Sequence, residues 1–207
     1  MKSSEEISKM TSAVKTKQFG LDVIFRHDYD RAGKEIAQYT RQSCQYFKEF
    51  IENTPHHEEF ETFLDIGCGG VTAIDFFAER FISRGIDLYP SGQDPRILKG
   101  DFYSLGDIIK EPVDLIFCNH TLEHSLAPLL LEQIRKCHKV GGALFIAVPD
   151  ADYSWAYDMT SSTTHWSIFN ADFLRCLVSR FGYECFVSKK MFRPNKGELF
   201  LVGVRRF

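Results

Sequence analysis

Two stretches of this sequence carry side chains whose types and spacing suit chemistry. The first is "LDIGCGG", residues 64–70, where Asp65, Gly67, Cys68 and Gly69 close an apolar run. Glycines at such a place let backbone N–H groups approach a ligand closely and lead into a helix start. The second is "CNHTLEHS", residues 118–125, which spells His-x-x-Glu-His through His120, Glu123 and His124. Alone, that string is the zinc signature of an inverted metallopeptidase. Such a site needs its two histidines one turn apart on a helix face, plus a third protein ligand. Here the string leaves the end of an apolar run, and no obvious Glu-bearing helix supplies that ligand, so no metal is expected from it. Asp150, Asp152 and His165 are further candidates. The two acids could hold a substrate hydroxyl or a divalent ion, but they read more naturally as solvated loop acids. The pair His56–His57 has no further ligand nearby and reads as loop.

Short apolar runs alternating with helical stretches must position these residues. "TFLDIG" (62–67), "RGIDLYP" (84–90), "RILKGD" (96–101), "VDLIFCN" (113–119) and "GALFIAVPD" (142–150) are strand-like. The last two are nearly continuous apolar runs, as expected of parallel strands covered on both faces. Helical spacing marks residues 34–52 and "AIDFFAERF" (73–81). It also marks a stripe from Leu126 to Val140, which Gly141–Gly142 should end. A further helix should start at Asn170, a good N-cap, and stop at Gly182. "YECFVSKKMF", the turn "RPNKG" and "ELFLVGVRRF" predict an antiparallel hairpin at one edge. The whole is a doubly wound α/β sheet, in which ligands bind at the carboxyl ends of strands, at the topological switch point. A dinucleotide fingerprint would need a third glycine at position 72, which is Thr72.

The ordered set of motifs resembles the class I S-adenosylmethionine-dependent methyltransferases. "FLDIGCGG" is similar to the family's first motif, and Asp87, at the end of the second strand, to the acid that holds the ribose hydroxyls. A carboxylate has two acceptor oxygens to match a vicinal diol. "KGDFYSL", "VDLIFCNHTLEHS" and "HKVGGALFIAVPD" resemble the later motifs, and together the resemblance covers roughly residues 60–207. It implies a Rossmann-like, mostly parallel seven-stranded sheet with the C-terminal hairpin antiparallel. It also implies S-adenosyl-L-methionine as cofactor, with S-adenosyl-L-homocysteine as product. The cofactor would be held by Asp65, Gly67, Cys68, Gly69, Asp87, Leu88, Asp101, Phe102 and Asn119. Residues 1–58 would be a tail and helical cover, and 59–207 the methyltransferase domain, in one structural domain overall. The chain departs from the family at Val71, where the pattern has a glycine, which would alter the helix start.

The Leu-Glu-His element is similar to one common at this loop in the family, so it needs no metal. His124 and His165 are then the catalytic candidates, because an imidazole is the natural general base for a hydroxyl nucleophile near neutral pH. Each could equally be a structural hydrogen-bonding group. Trp155, Tyr157 and Trp166, in the long 151–169 connection, either line the acceptor or pack that segment. Where family members that methylate nucleic-acid amines carry Asn/Asp-Pro-Pro-Tyr/Phe, this chain has "CNHT". The formal charge of −3 also argues against a polyanion-wrapping surface. The basic C-terminal run from Lys189 reads as a solvated rim. A small-molecule acceptor remains, with nucleic acid not expected. The 148–166 region resembles enzymes of sugar and surface-polysaccharide tailoring, which implies O-methylation of a sugar or similar metabolite. The alternatives are a non-catalytic cofactor- or partner-binding protein and the zinc peptidase. No apolar stretch approaches the ~20 residues that span a bilayer. The six cysteines have no C-x-x-C pair, so a reducing, cytoplasmic setting without disulfides is expected.

Overall fold

The structure is a computed structural model that describes residues 36–90, 92–153, 165–193 and 196–207. Two compact units divide the chain at Tyr39/Thr40. Of the first, only residues 36–39 are described, and they are helical. The second holds a seven-stranded sheet of β1 (Thr62–Ile66), β2 (Ile82–Asp87), β3 (Ile97–Lys99), β4 (Val113–Asn119), β5 (His138–Pro149), β6 (Tyr183–Arg193) and β7 (Lys196–Arg205). Their order is β3-β2-β1-β4-β5-β7-β6. β1 pairs in parallel with both β2 and β4, whereas β7 runs antiparallel to β5 and to β6. The chain therefore winds outward in both directions from β1 and β4, and the switch point lies between their carboxyl ends.

Side-chain alternation sorts the core into two layers. Phe63, Phe117, Phe145 and Phe200 point to one face, where Phe47 of helix α1 (36–52) and Phe77 of α2 (Thr72–Phe77) meet them. Phe117 and Phe145 stack at 4.8 Å, and Phe63 stacks on Phe77 at 4.4 Å. The opposite face is aliphatic: Leu64, Ile66, Ile116, Cys118, Leu144 and Ile146 pack under α3 (Leu105–Ile108), α4 (Ala127–Cys137) and α5 (Ala171–Ser179). Both faces of β4 and β5 are buried, which is why those strands read as unbroken apolar runs. Cys44, Cys118, Cys137 and Cys185 are buried and no disulfide forms among the described residues; burial pushes the Cys137 thiol up to about 12.

Two expectations are corrected. The stripe from Leu126 does not continue as helix to Gly141–Gly142: α4 ends at Cys137, and His138 already pairs with Val113 in the sheet. Pairing then jumps to Leu115↔Ala143, so residues 139–142 bulge out of β5. Gly141 sits at φ +85°, and a Cβ on Gly142 would lie 2.5 Å from the Asp114 carbonyl oxygen. The two glycines serve this bulge and do not cap the helix. His138 drives the change, because it is fully buried with both ring nitrogens bonded, to Tyr183 Oη (2.9 Å) and Asp114 O (3.1 Å). The helix expected over 73–81 is also shorter, ending at Phe77. Asn170 behaves as expected, its side chain accepting from Phe173 N at 2.8 Å.

Candidate active site

β1 delivers its carboxyl end into a tight elbow. Gly67 and Gly69 adopt φ of +72° and +58°, the left-handed region open chiefly to glycine. A Cβ on Gly67 would lie 2.2 Å from Thr121 Oγ1, so no other residue fits. Thr121 in turn donates its hydroxyl to Ile66 O at 3.0 Å, tying the elbow to the loop after β4. Val71, in contrast, has φ −97° as the residue before α2, a value any side chain adopts. The missing family glycine therefore costs this helix start nothing in backbone strain.

Asp87 ends β2 beside the elbow. Its Oδ2 accepts from Gly69 N (2.8 Å) and its Oδ1 from Tyr89 N (2.7 Å), which fixes the carboxylate in orientation while each oxygen keeps a lone pair. Asp65, 3% exposed, is held well above the usual carboxyl range by burial and then by the neighbouring Asp87 charge. Asp101 caps the turn Phe102–Ser104 by accepting from Tyr103 N, and Phe102 is buried. Tyr103 Oη accepts from Leu126 N at 2.7 Å, which ties the residue before α4 to this turn.

The exit of β4 carries the second group. Asn119 Oδ1 is buried without a hydrogen-bond partner among the described residues. His120 follows at φ +52° and lies between two buried acids: Nδ1 is 3.1 Å from Glu123 Oε1, and Nε2 is 3.4 Å from Glu198 Oε1. Burial alone would lower this imidazole, but the two carboxylates outweigh it and raise it to about 10. Glu123 is the mirror case: burial pushes its carboxyl up, but the His120 bond and the His124, His120 and His165 charges bring it below its ordinary value.

Leu122–His124 form a single 3-10 turn that His120 precedes, so His120 and His124 do not share a helix face. The geometry of an inverted metallopeptidase does not form. His124 instead meets His165, with ring centroids 4.9 Å apart and planes at 70°. Two backbone bonds bring His165 there: Trp166 N and Ser167 N both donate to Glu123 O, at 2.7 and 3.1 Å.

The elbow residues, Asp87, Asn119 and the imidazole pair thus share the carboxyl edge of the sheet, where the sequence expects a ligand. Asp150 corrects the reading as a solvated loop acid: it is fully buried, with Oδ1 accepting from Asp152 N and Oδ2 3.3 Å from Lys189 Nζ. The basic C-terminal run is a solvated rim as expected, its charges partly paired: Lys189 and Arg206 are exposed in ion pairs with Asp152 and Glu184, Lys190 lies over the Tyr46 ring, and Arg205 donates to Arg135 O. Trp155 and Tyr157 lie outside the described residues. Sequence reasoning missed Glu198 and Thr121. Glu198 had a signal, as the lone acid opening the apolar run "ELFLVGV", since a buried acid needs a partner.

The chain belongs to the methyltransferase domain family, whose description it matches over residues 36–187. It is an S-adenosylmethionine-dependent methyltransferase by fold and family. A methyltransferase of this class from Archaeoglobus fulgidus is 13% identical, with a TM-score of 0.66 over 88% of this chain and 99% of that one. The sugar N-methyltransferase KedS8 from Streptoalloteichus sp ATCC 53650 is 14% identical, with a TM-score of 0.58 over 80% and 87% of the two chains. The magnesium protoporphyrin IX methyltransferase from Synechocystis PCC 6803, solved with S-adenosylhomocysteine, is 14% identical, with a TM-score of 0.57 over 78% and 82%. No curated protein sequence matches the chain. Among the described residues, no helix is long and apolar enough to cross a membrane.

Proposed function

We propose that the chain transfers the S-adenosylmethionine methyl group to a hydroxyl of a small polar acceptor, a sugar or related metabolite. The observation that carries this reading is the convergence, on one sheet edge, of a glycine elbow, an oriented carboxylate and an imidazole pair. In it, Asp87 accepts from the ribose diol, and Gly67, Cys68, Gly69 and Asp65 line the methionine end. Leu88, Asp101 and Phe102 flank the adenine, and Asn119 offers its unpartnered Oδ1 to a donor of the cofactor. The fit rests on that orphaned acceptor and on an elbow whose left-handed glycines keep side chains out of the way. His124 and His165 act on the acceptor hydroxyl.

A sulfonium methyl is already activated, so the protein's main contribution is to hold the acceptor oxygen in line with the methyl–sulfur bond. The net charge and the absence of the amine-methylating motif favour a small acceptor over nucleic acid. The test is transfer of labelled methyl from S-adenosylmethionine to a panel of sugars, amino sugars and small phenols. The reading predicts an alkali-stable methyl ether on a hydroxyl-bearing acceptor. Label found only on nitrogen, or on a nucleic acid, contradicts it.

A further inference from the structure

We propose that Glu123, His124 and His165 form a divalent-cation site at the acceptor side of the cofactor edge. Each offers one ligand atom, and these atoms lie within 4.8 Å of one another. Glu123 carries the argument furthest. Its side chain is 1% exposed; Oε1 is taken by His120, while Oε2 is buried with no hydrogen-bond partner among the described residues. A buried carboxylate oxygen without a donor is costly, and a bound cation removes that cost.

The surrounding bonds are those of a built site. His165 reaches Glu123 and His124 because the next two residues are strapped to the Glu123 carbonyl, and Ser167 Oγ donates to Ser125 O at 3.1 Å. His120 fixes the plane of the Glu123 carboxylate, and Glu198 fixes His120. Outer partners that orient a ligand in this way are the usual company of a metal centre. Ligand atoms around a tetrahedral ion at roughly 2.0–2.1 Å stand about 3.4 Å apart, so a gap of 4.8 Å must close by about 1.4 Å. Two imidazoles and one carboxylate suit a first-row divalent ion such as Zn²⁺, Co²⁺ or Mn²⁺ better than Ca²⁺, which takes oxygen ligands only.

What the ion would do rests on the proposed methyltransferase reading. Three protein ligands leave coordination open for the acceptor hydroxyl, whose acidity a cation raises. The hydroxyl releases its proton to water, and its oxygen then attacks the sulfonium methyl. The new C–O bond forms as the C–S bond breaks, and the C–S electron pair stays on sulfur. His124 and His165, as ligands, hold the ion and do not take the proton.

Cobalt titration of chelator-treated, full-length protein tests this, read by the visible d–d bands of Co²⁺ and by zinc displacing it. The expected result is one equivalent of cobalt per chain. His165→Ala and His124→Ala should each weaken it more than the roughly 10–100-fold typical of losing an outer partner. His120→Asn, which keeps a residue tolerant of the left-handed backbone, should weaken it within that range, and His57→Ala should leave it unchanged. A melting shift with S-adenosylhomocysteine in each variant shows that it still folds. Cobalt bands absent from wild type, or unchanged in both ligand variants, overturn the metal site. Cobalt bound as expected with no melting shift in wild type keeps the metal site and removes the methyltransferase reading instead.

Discussion

The two edges of the sheet treat their polar groups in opposite ways. At the amino edge, Asp114 is saturated: Oδ2 accepts from Glu61 N, Thr62 N and Thr62 Oγ1, and Oδ1 meets Lys139 Nζ at 2.8 Å. Beside it, His138 donates from Nε2 to the Asp114 carbonyl, an acceptor only, so its Nδ1 accepts from Tyr183 Oη. At the carboxyl edge lie Asn119 Oδ1, Glu123 Oε2, Asp150 Oδ2 and Glu198 Oε2, the buried side-chain atoms without a hydrogen bond among the described residues. For Asp150 the neighbour is an ion pair at 3.3 Å. Buried polar atoms are ordinarily satisfied, and exceptions gather where a ligand is to be bound. One edge spends its hydrogen bonds on stability, and the other holds acceptors in reserve.

The largest expected break in this contrast is Asp114→Ala. It strands three donors, while the half-exposed Lys139 ammonium returns to water, so unfolding free energy should fall by about 3–5 kcal/mol. Urea denaturation measures this, and affinity for S-adenosylhomocysteine at low temperature should be unchanged. Asp87→Ala should act mainly on binding, weakening that affinity by about 100-fold or roughly 3 kcal/mol in calorimetric titration, with a smaller loss of stability than Asp114→Ala because it strands only Gly69 N and Tyr89 N.

The third prediction concerns acid. Burial lowers the His138 imidazole from 6.5 to about 4, so between those values the unfolded chain binds the extra proton and the folded one does not. Stability at this site is therefore full above pH 6.5 and falls as pH drops toward 4, by at most about 3 kcal/mol. Denaturation at pH 7 and pH 5 should show the loss, and His138→Gln should flatten it. The smallest effect belongs to Asn119→Ala. Its oxygen has no hydrogen-bond partner among the described residues, so stability should stay within about 1 kcal/mol, while cofactor affinity falls.

How much of this was legible in the sequence depended on how local the cause was. Asp87 stood out only through the resemblance to the family, whereas the glycine elbow and the unbroken apolar runs of β4 and β5 are visible because strand burial and left-handed turns restrict residue types directly. The hairpin and the Asn170 cap were legible for the same reason. The end of α4 was not, because Gly141–Gly142 look like a helix stop until the tertiary bonds of His138 pull that segment into the sheet. Asp150 looked solvated because nothing local reveals that Lys189 folds over it. The grouping of Glu123 with His124 and His165 was hidden too. The written motif pairs His120 with His124, whereas the backbone strap from Trp166 and Ser167 supplies a different partner.

Hydrogen exchange with and without S-adenosylhomocysteine tests the division between the edges most directly. The account predicts new protection in residues 66–70, 86–89 and 119–124, and none in 61–62, 113–115 or 138–143. Protection confined to the amino edge, or no change anywhere in the chain, contradicts it.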